Sequence, residues 1–313
     1  MKLARAIESF TEVKRRVGLS YRESHYTLLQ FLKQTGDKDL NCITEQEIIN
    51  FVYSGTVSSK TRSARFTKVK KLFEWARDQG CLSVLPMPPV APKLVNTFTP
   101  YIYSRDELKH IFFSAGSLND RSSPMQGDTL KAFLVTIYAC GLRLSEGLNI
   151  RLCDVDFERK TIIILETKFK KSRILPFGNQ LETVLRDYRD KRIKYLPLPQ
   201  KDKSYFFVSR NGNRFSSTHI SHMFERVRKL ANIYVPTRDQ QPRLHDLRHT
   251  YAVHKLTEWY EQGENVQKLI YNLSTYMGHK DLEDTKVYLT MTKDFLQIVS
   301  NKFEQFIENG AQQ

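Results

Sequence analysis

The chain has few cysteines, a shortage of acid and no long apolar run. Its 313 residues include four cysteines, Cys42, Cys81, Cys140 and Cys153. No Cys-x-x-Cys pair occurs, and thiols so scattered build no disulfide framework, so a reducing compartment fits. No window approaches the roughly 20 apolar residues that span a bilayer, and the opening MKLARAIESF lacks a long apolar stretch. The expectation is a soluble, cytoplasmic protein with no membrane partner. Internal repeats and low-complexity segments are missing. A Walker-type phosphate loop and an acidic metal cluster are missing too, so no metal and no other cofactor is expected.

The shortage of acid is relative: 34 Asp and Glu stand against 49 Lys and Arg, a net charge of +15. A field of that sign attracts polyanions, and nucleic acid is the leading partner. Residues 1–100 carry 16 cations and 9 anions and the remainder 33 and 25, so both parts should touch the polyanion. At 40% hydrophobic residues the chain can bury a substantial core, and its length suggests two domains.

Residues 1–84 read as successive helices. Capping-box pairs, Ser20 with Glu23 and Thr44 with Glu47, precede amphipathic runs. A third helix, Lys60 to Asp78, sets Phe66, Val69, Phe73 and Ala76 on one core-facing stripe. The same segment carries Lys60, Arg62, Arg65, Lys68, Lys70 and Lys71 without an acid as far as Lys71, a solvated face or a phosphate-contacting one. Between Leu85 and Pro100 the prolines forbid a continuous helix and mark an interdomain linker. Beyond it Ser104 and Glu107 form another capping box, and Asp128 is expected to cap a helix that Gly141 ends with a left-handed turn. Two β-rich runs follow, Thr161 to Leu165 and Arg173 to Phe177, around a turn holding Lys168, Lys170 and Lys171. Helical periodicity returns at Ser217 and persists through Phe295, Leu296, Val299, Phe303 and Phe306.

The densest chemical signal is LHDLRHTYAVH, which puts His245, Arg248 and His249 on one helical face. His245-Asp246-x-x-His249 has the spacing of a HExxH zinc site, but Arg248 would stand as a fixed cation on the ligand face. As an anion site, Arg248 offers phosphate a planar fork of donors and His245 a titratable group. A purely structural His-Arg cluster stays open on this motif alone.

Three more segments complete an ordered set: GLRLSE with Arg143, ETKFKKSRILPF with Lys168, and MGHKDLEDTKVY with His279 nine residues before Tyr288. Arg, Lys, His-x-x-Arg, Gly-His and Tyr in this order resemble the tyrosine recombinase or phage integrase family, in particular its Xer-like and transposon-borne members. The resemblance spans about residues 100–290. It implies Arg143, Lys168, His245, Arg248, His279 and Tyr288 as catalytic residues, with Glu146 and His249 supporting. The glycines usual around the lysine are absent, which leaves Lys170 or Lys171 as substitutes for Lys168.

The fold so implied is mainly α with a small antiparallel β-sheet, a two-domain DNA clamp. Residues 1–84 would be a helical core-DNA-binding domain, 85–100 a linker and 101–313 an α+β catalytic domain. The cations expected on DNA are Lys60, Arg62, Arg65, Lys68, Lys71, Lys170 and Lys171. The implied activity is site-specific cutting and rejoining of double-stranded DNA through a 3′-phosphotyrosyl intermediate, for integration, excision, transposition or resolution. The implied partners are a specific recombination site, three further copies of the chain in a synaptic tetramer, and an accessory recombinase or architectural protein. The last helix either docks on a neighbouring copy or closes over its own core. A nucleoid-associated bacterial protein is expected.

The chemistry suits these residue types. Attack on a phosphodiester builds negative charge that Arg143 and Arg248 can stabilise, with His279 adding a hydrogen bond. A phenol with pKa near 10 needs help to deprotonate, and His245 is the candidate base. Lys168 can protonate the leaving 5′ oxygen. A type IB topoisomerase shares this chemistry, and a DNA-binding regulator that has lost catalysis is the rival from another class.

Overall fold

The computed structural model describes residues 1–19, 21–93, 99–118, 126–165, 172–195, 203–209, 211–236, 241–279, 281–292 and 300. Ser20, Lys168, Lys170, Lys171 and the expected helix through Phe306 lie outside them. The chain divides into two compact units, residues 1–98 and 99–313.

In the first unit, helices α1 (Leu3–Arg16), α2 (Arg22–Thr35), α3 (Glu45–Tyr53) and α4 (Ser59–Asp78) enclose Phe10, Phe31, Phe51 and Phe73, all fully buried. Each such side chain removed from water contributes about 1.5–3 kcal/mol, so this core holds the helices. The Thr44–Glu47 capping box forms: Glu47 N donates to Thr44 Oγ1, and Thr44 N donates back to the Glu47 carboxylate. The start of α2 departs from expectation. Its N-cap is Tyr21, at φ +29° and with no side-chain cap; Glu23 pairs with Lys68 at 2.7 Å, and Ser20, the other half of the expected box, lies outside the described residues.

The second unit begins with α5 (Arg105–Gly116), opened by the expected Ser104–Glu107 box. Next comes α6 (Gln126–Ala139), apolar on most sides because α5, α8 and α10 all pack on it. The sequence assigned its cap to Asp128. Residues 126 and 127 are already helical, so Asp128 lies inside the helix, with its carboxylate paired with Lys191 at 2.8 Å.

After α7 (Leu144–Asn149) come three antiparallel strands in the order β1 (Val155–Asp156), β2 (Thr161–Ile164) and β3 (Arg173–Pro176). The two β-rich runs are thus joined by a third strand too short to read from alternation. Ile162 and Leu175 are paired in register and face the core. Helices α8 (Asn179–Tyr195), α9 (Ser217–Leu230), α10 (Asp246–Glu261) and α11 (Val266–Met277) follow, then α12 over residues 283–292. The fold class is the expected one: mostly helical, with one small antiparallel sheet. Among the described residues no helix is long and apolar enough to cross a membrane.

Candidate active site

Gly141 ends α6 in the left-handed region, φ +57°, with Leu142 N bonded to Ile137 O at 3.0 Å. Two constraints demand glycine there: the positive φ, and the Tyr251 ring, which would lie 2.5 Å from an added Cβ. The turn delivers Arg143 to the N-cap of α7. Its amide and Nη1 donate to Glu146 at 3.0 and 2.8 Å, and its Nη2 donates to Gly278 O at 2.7 Å.

Arg248 reaches the same place from the first turn of α10. Its Nη1 donates to Gly141 O at 2.5 Å and its Nη2 to Met277 O at 2.8 Å. Glu146, 4% exposed, lies 4.0 Å from it and so balances part of two guanidinium charges. Gly278 caps α11 in the left-handed conformation, φ +68°, and turns the chain so that His279 enters the cluster. Helix α12 then returns Tyr288 to within hydrogen-bond reach of His249 Nδ1, at 2.8 Å. The His279 ring lies nearly parallel to that of Tyr288, centroids 6.2 Å apart. His245, the N-cap of α10, sits edge-on to His249 at 4.9 Å.

Arg143, Arg248, His279, Tyr288 and His245 therefore come together from four segments spread over 146 positions of the chain. Lys168 lies outside the described residues. Asp246, which a zinc-hydrolase reading would use as its base, is buried and committed to Arg243 through N–H bonds at 2.8 and 3.2 Å.

Burial and cationic surroundings set the protonation states. Burial first, then neighbouring cations, push His249 and His279 each down to about 3, so both are neutral at physiological pH. Burial lowers Arg248 to about 10, still charged. Tyr288, 2% exposed, is pushed up to about 12 by burial and by Asp284, against the pull of Arg248 and Arg143. In the DNA-free chain the phenol is protonated and hydrogen-bonded to a neutral imidazole.

Residues 114–294 match the phage integrase family. The chain belongs to that family. This tyrosine recombinase is 27% identical over 303 residues, 96% of each chain, to a putative integrase/recombinase, y4rB, of Sinorhizobium fredii. To tyrosine recombinase XerC of Oceanobacillus iheyensis it is 27% identical over 282 residues, 88% of this chain and 86% of the relative. Among solved structures, the XerH site-specific recombinase bound to palindromic difH substrate in a post-cleavage complex superposes with a TM-score of 0.68 at 19% identity, covering 90% of this chain and 79% of that one. A lambda integrase tetramer bound to a Holliday junction gives 0.67 at 15%, covering 90% and 78%. These superpositions establish the fold. With the family match they make the chain a site-specific DNA recombinase.

Three residues around the recombinase's cluster went unread or underweighted in the sequence. His249, taken as supporting, is the hydrogen-bond partner of the Tyr288 hydroxyl. Thr285, fully buried, bonds His279 Nδ1 through Oγ1 at 2.6 Å; a hydroxyl donating there leaves Nε2–H as the outward donor. Its signal was its place three residues before Tyr288 on one helical face. Arg173, at the head of β3, grips Glu146 with two bonds; a lone cation opening an apolar strand was the available sign.

The cations expected on DNA in the first unit divide. Arg65 Nη1 donates to Phe51 O, Ser54 O and Ser54 Oγ at 2.8–3.0 Å, closing the C-terminal end of α3. Lys68, 17% exposed, is held by Glu23 and the Thr27 hydroxyl. Arg62 lies over the Tyr53 ring. Lys60 and Lys71 are exposed.

Proposed function

We propose that Tyr288 is the nucleophile of this recombinase and that the Arg143–Arg248 cluster receives the scissile phosphate. The observation that carries the reading is the Tyr288 hydroxyl 2.8 Å from a neutral His249, beside two guanidiniums anchored to the α11 C-terminus. Tyr288 Oη attacks phosphorus and its proton passes to His249. The P–O5′ bond breaks, and Lys168 gives a proton to the departing 5′ oxygen. Arg143, Arg248 and His279 stabilise the charge that builds on the non-bridging oxygens. His245, at the exposed edge of the histidine pair, donates to the phosphate in place of acting as the base. The product is a 3′-phosphotyrosyl diester, which keeps the bond energy, so attack by a second 5′ hydroxyl rejoins the strand without ATP.

The first unit holds the flanking duplex through exposed cations such as Lys60 and Lys71. Four copies assemble on two synapsed sites, as the lambda integrase tetramer supports by analogy. An accessory recombinase or architectural protein directs the outcome to integration, excision, transposition or resolution.

The test is a nicked suicide duplex drawn from the flanks of the gene, incubated with the protein in EDTA and resolved on a denaturing gel. A slow protein-DNA adduct is expected from the wild type and none from Tyr288→Phe, which still binds the duplex. An adduct that survives in Tyr288→Phe refutes the nucleophile. Supercoil relaxation without exchange between two copies of the site points to a topoisomerase instead.

A further inference from the structure

Three consecutive carbonyls at the C-terminal end of α11 each receive a different guanidinium. Tyr276 O accepts from Arg173 Nε at 2.8 Å, Met277 O from Arg248 Nη2 at 2.8 Å and Gly278 O from Arg143 Nη2 at 2.7 Å. A helix ends with carbonyls that lack helical partners, and the negative end of its dipole favours cations. Two of these arginines form the phosphate cradle proposed above. The third, Arg173, comes from the head of β3 and plays no part in that mechanism.

Arg173 also closes on Glu146 with both prongs, Nη1 to Oε1 at 3.1 Å and Nη2 to Oε2 at 2.8 Å. Arg143 shares Oε1 through its Nη1 at 2.8 Å. The side chains grade in exposure from Arg248 at 3% through Arg173 at 11% to Arg143 at 23%, so Arg143 reaches furthest toward solvent. Burial opposes the charge on Glu146, yet the Arg173 bond, ahead of Arg143, holds the carboxyl below its usual range. Gly278 records the same packing: an added Cβ would lie 2.9 Å from Arg173 Nη1 and 3.5 Å from Arg143 Nη1.

We propose that Arg173 is a positioning residue for strand cleavage: its two-pronged hold on Glu146 and its bond to Tyr276 O fix the carboxylate and the 276–279 turn, so that Arg143 keeps its remaining N–H groups directed at the scissile phosphate. The proposal rests on the phosphotyrosine reading above. It differs from a merely structural ion pair in what it predicts for the substrate's charge. If Arg173 acts through Arg143, its loss matters in proportion to the negative charge Arg143 must stabilise.

The experiment compares single-turnover cleavage of two suicide duplexes. One has an ordinary scissile phosphodiester; the other has a neutral methylphosphonate there. Arg173→Gln should slow the diester about 100-fold, the loss typical of a misplaced charge-stabilising donor, and the methylphosphonate less than about fivefold. Arg143→Ala should show the same selective rescue. Arg173→Lys keeps the charge without the planar fork and should stay about tenfold slow on the diester, so it carries the comparison if the glutamine variant melts early. Diester cleavage at the wild-type rate in Arg173→Gln, or equal losses on both substrates with DNA still bound, overturns the proposal. No adduct from the wild type on either substrate overturns the phosphotyrosine reading itself.

Discussion

Acidification from pH 7 to pH 5 should remove roughly 6 kcal/mol from the stability of the 99–313 unit. Three histidines are held there in neutral form: His249 and His279, half-buried and each pushed down to about 3, and His254, buried and pushed down to about 4 with its Nδ1 bonded to the Tyr138 hydroxyl. In the unfolded chain each titrates near 6.5, so below that pH the unfolded state binds three more protons than the folded one. Stability is therefore fully present above about pH 6.5 and falls as the pH drops toward the folded values. Each group contributes a slope of about 1.4 kcal/mol per pH unit, about 4 for the three. Glu146 acts in the same sense at lower pH, since its carboxyl is held below its ordinary value. Equilibrium urea unfolding followed by circular dichroism at pH 7, 6 and 5 measures the effect. His254→Gln, which leaves the cleavage residues in place, should flatten the slope by about a third. A transition midpoint unchanged between pH 7 and 5, at constant m-value, would falsify the burial of neutral imidazoles.

Other consequences are more local. Glu146→Gln removes a carboxylate shared by three guanidiniums, and a broken buried pair costs about 3–5 kcal/mol. The unit's melting temperature should then fall by roughly 10 °C in a thermal scan, and a shift under about 2 °C contradicts the charge balance. Thr285→Val removes the hydroxyl that orients His279 and should slow adduct formation about tenfold with DNA affinity unchanged, the range seen for groups that orient a functional imidazole; wild-type rates would mean the tautomer is set elsewhere. In the first unit, Lys71→Ala should lower the slope of log affinity against log salt by about one while Arg65→Ala leaves it alone and destabilises the fold. A Lys71→Ala slope equal to the wild type's, from titrations at several salt concentrations, would show that Lys71 does not meet phosphate.

The helices and their punctuation were legible where the signal is local. Thr44 with Glu47, Ser104 with Glu107 and Gly141 form the caps their spacing announces, because a capping box and a left-handed turn need only residues a few positions apart. Asp128 carries the same kind of signal, yet it lies inside α6, paired with Lys191.

The site divides in the same way. Order along the chain, Arg143 to Tyr288, was enough to place the protein among the tyrosine recombinases, since the chemistry limits which side chains can attack, stabilise and protonate. Which imidazole meets the Tyr288 hydroxyl was beyond the sequence: His245 and His249 share a helical face, and only the return of α12 selects His249. Nor could spacing reveal that Arg65 turns inward to close α3 while Lys71 stays exposed. Residue types and local spacing determined the class of reaction and most helix ends. Tertiary packing alone decided the partners of Arg173, His249 and Arg65, because a hydrogen bond across tens or a hundred residues depends on where two elements meet and leaves no periodicity in either.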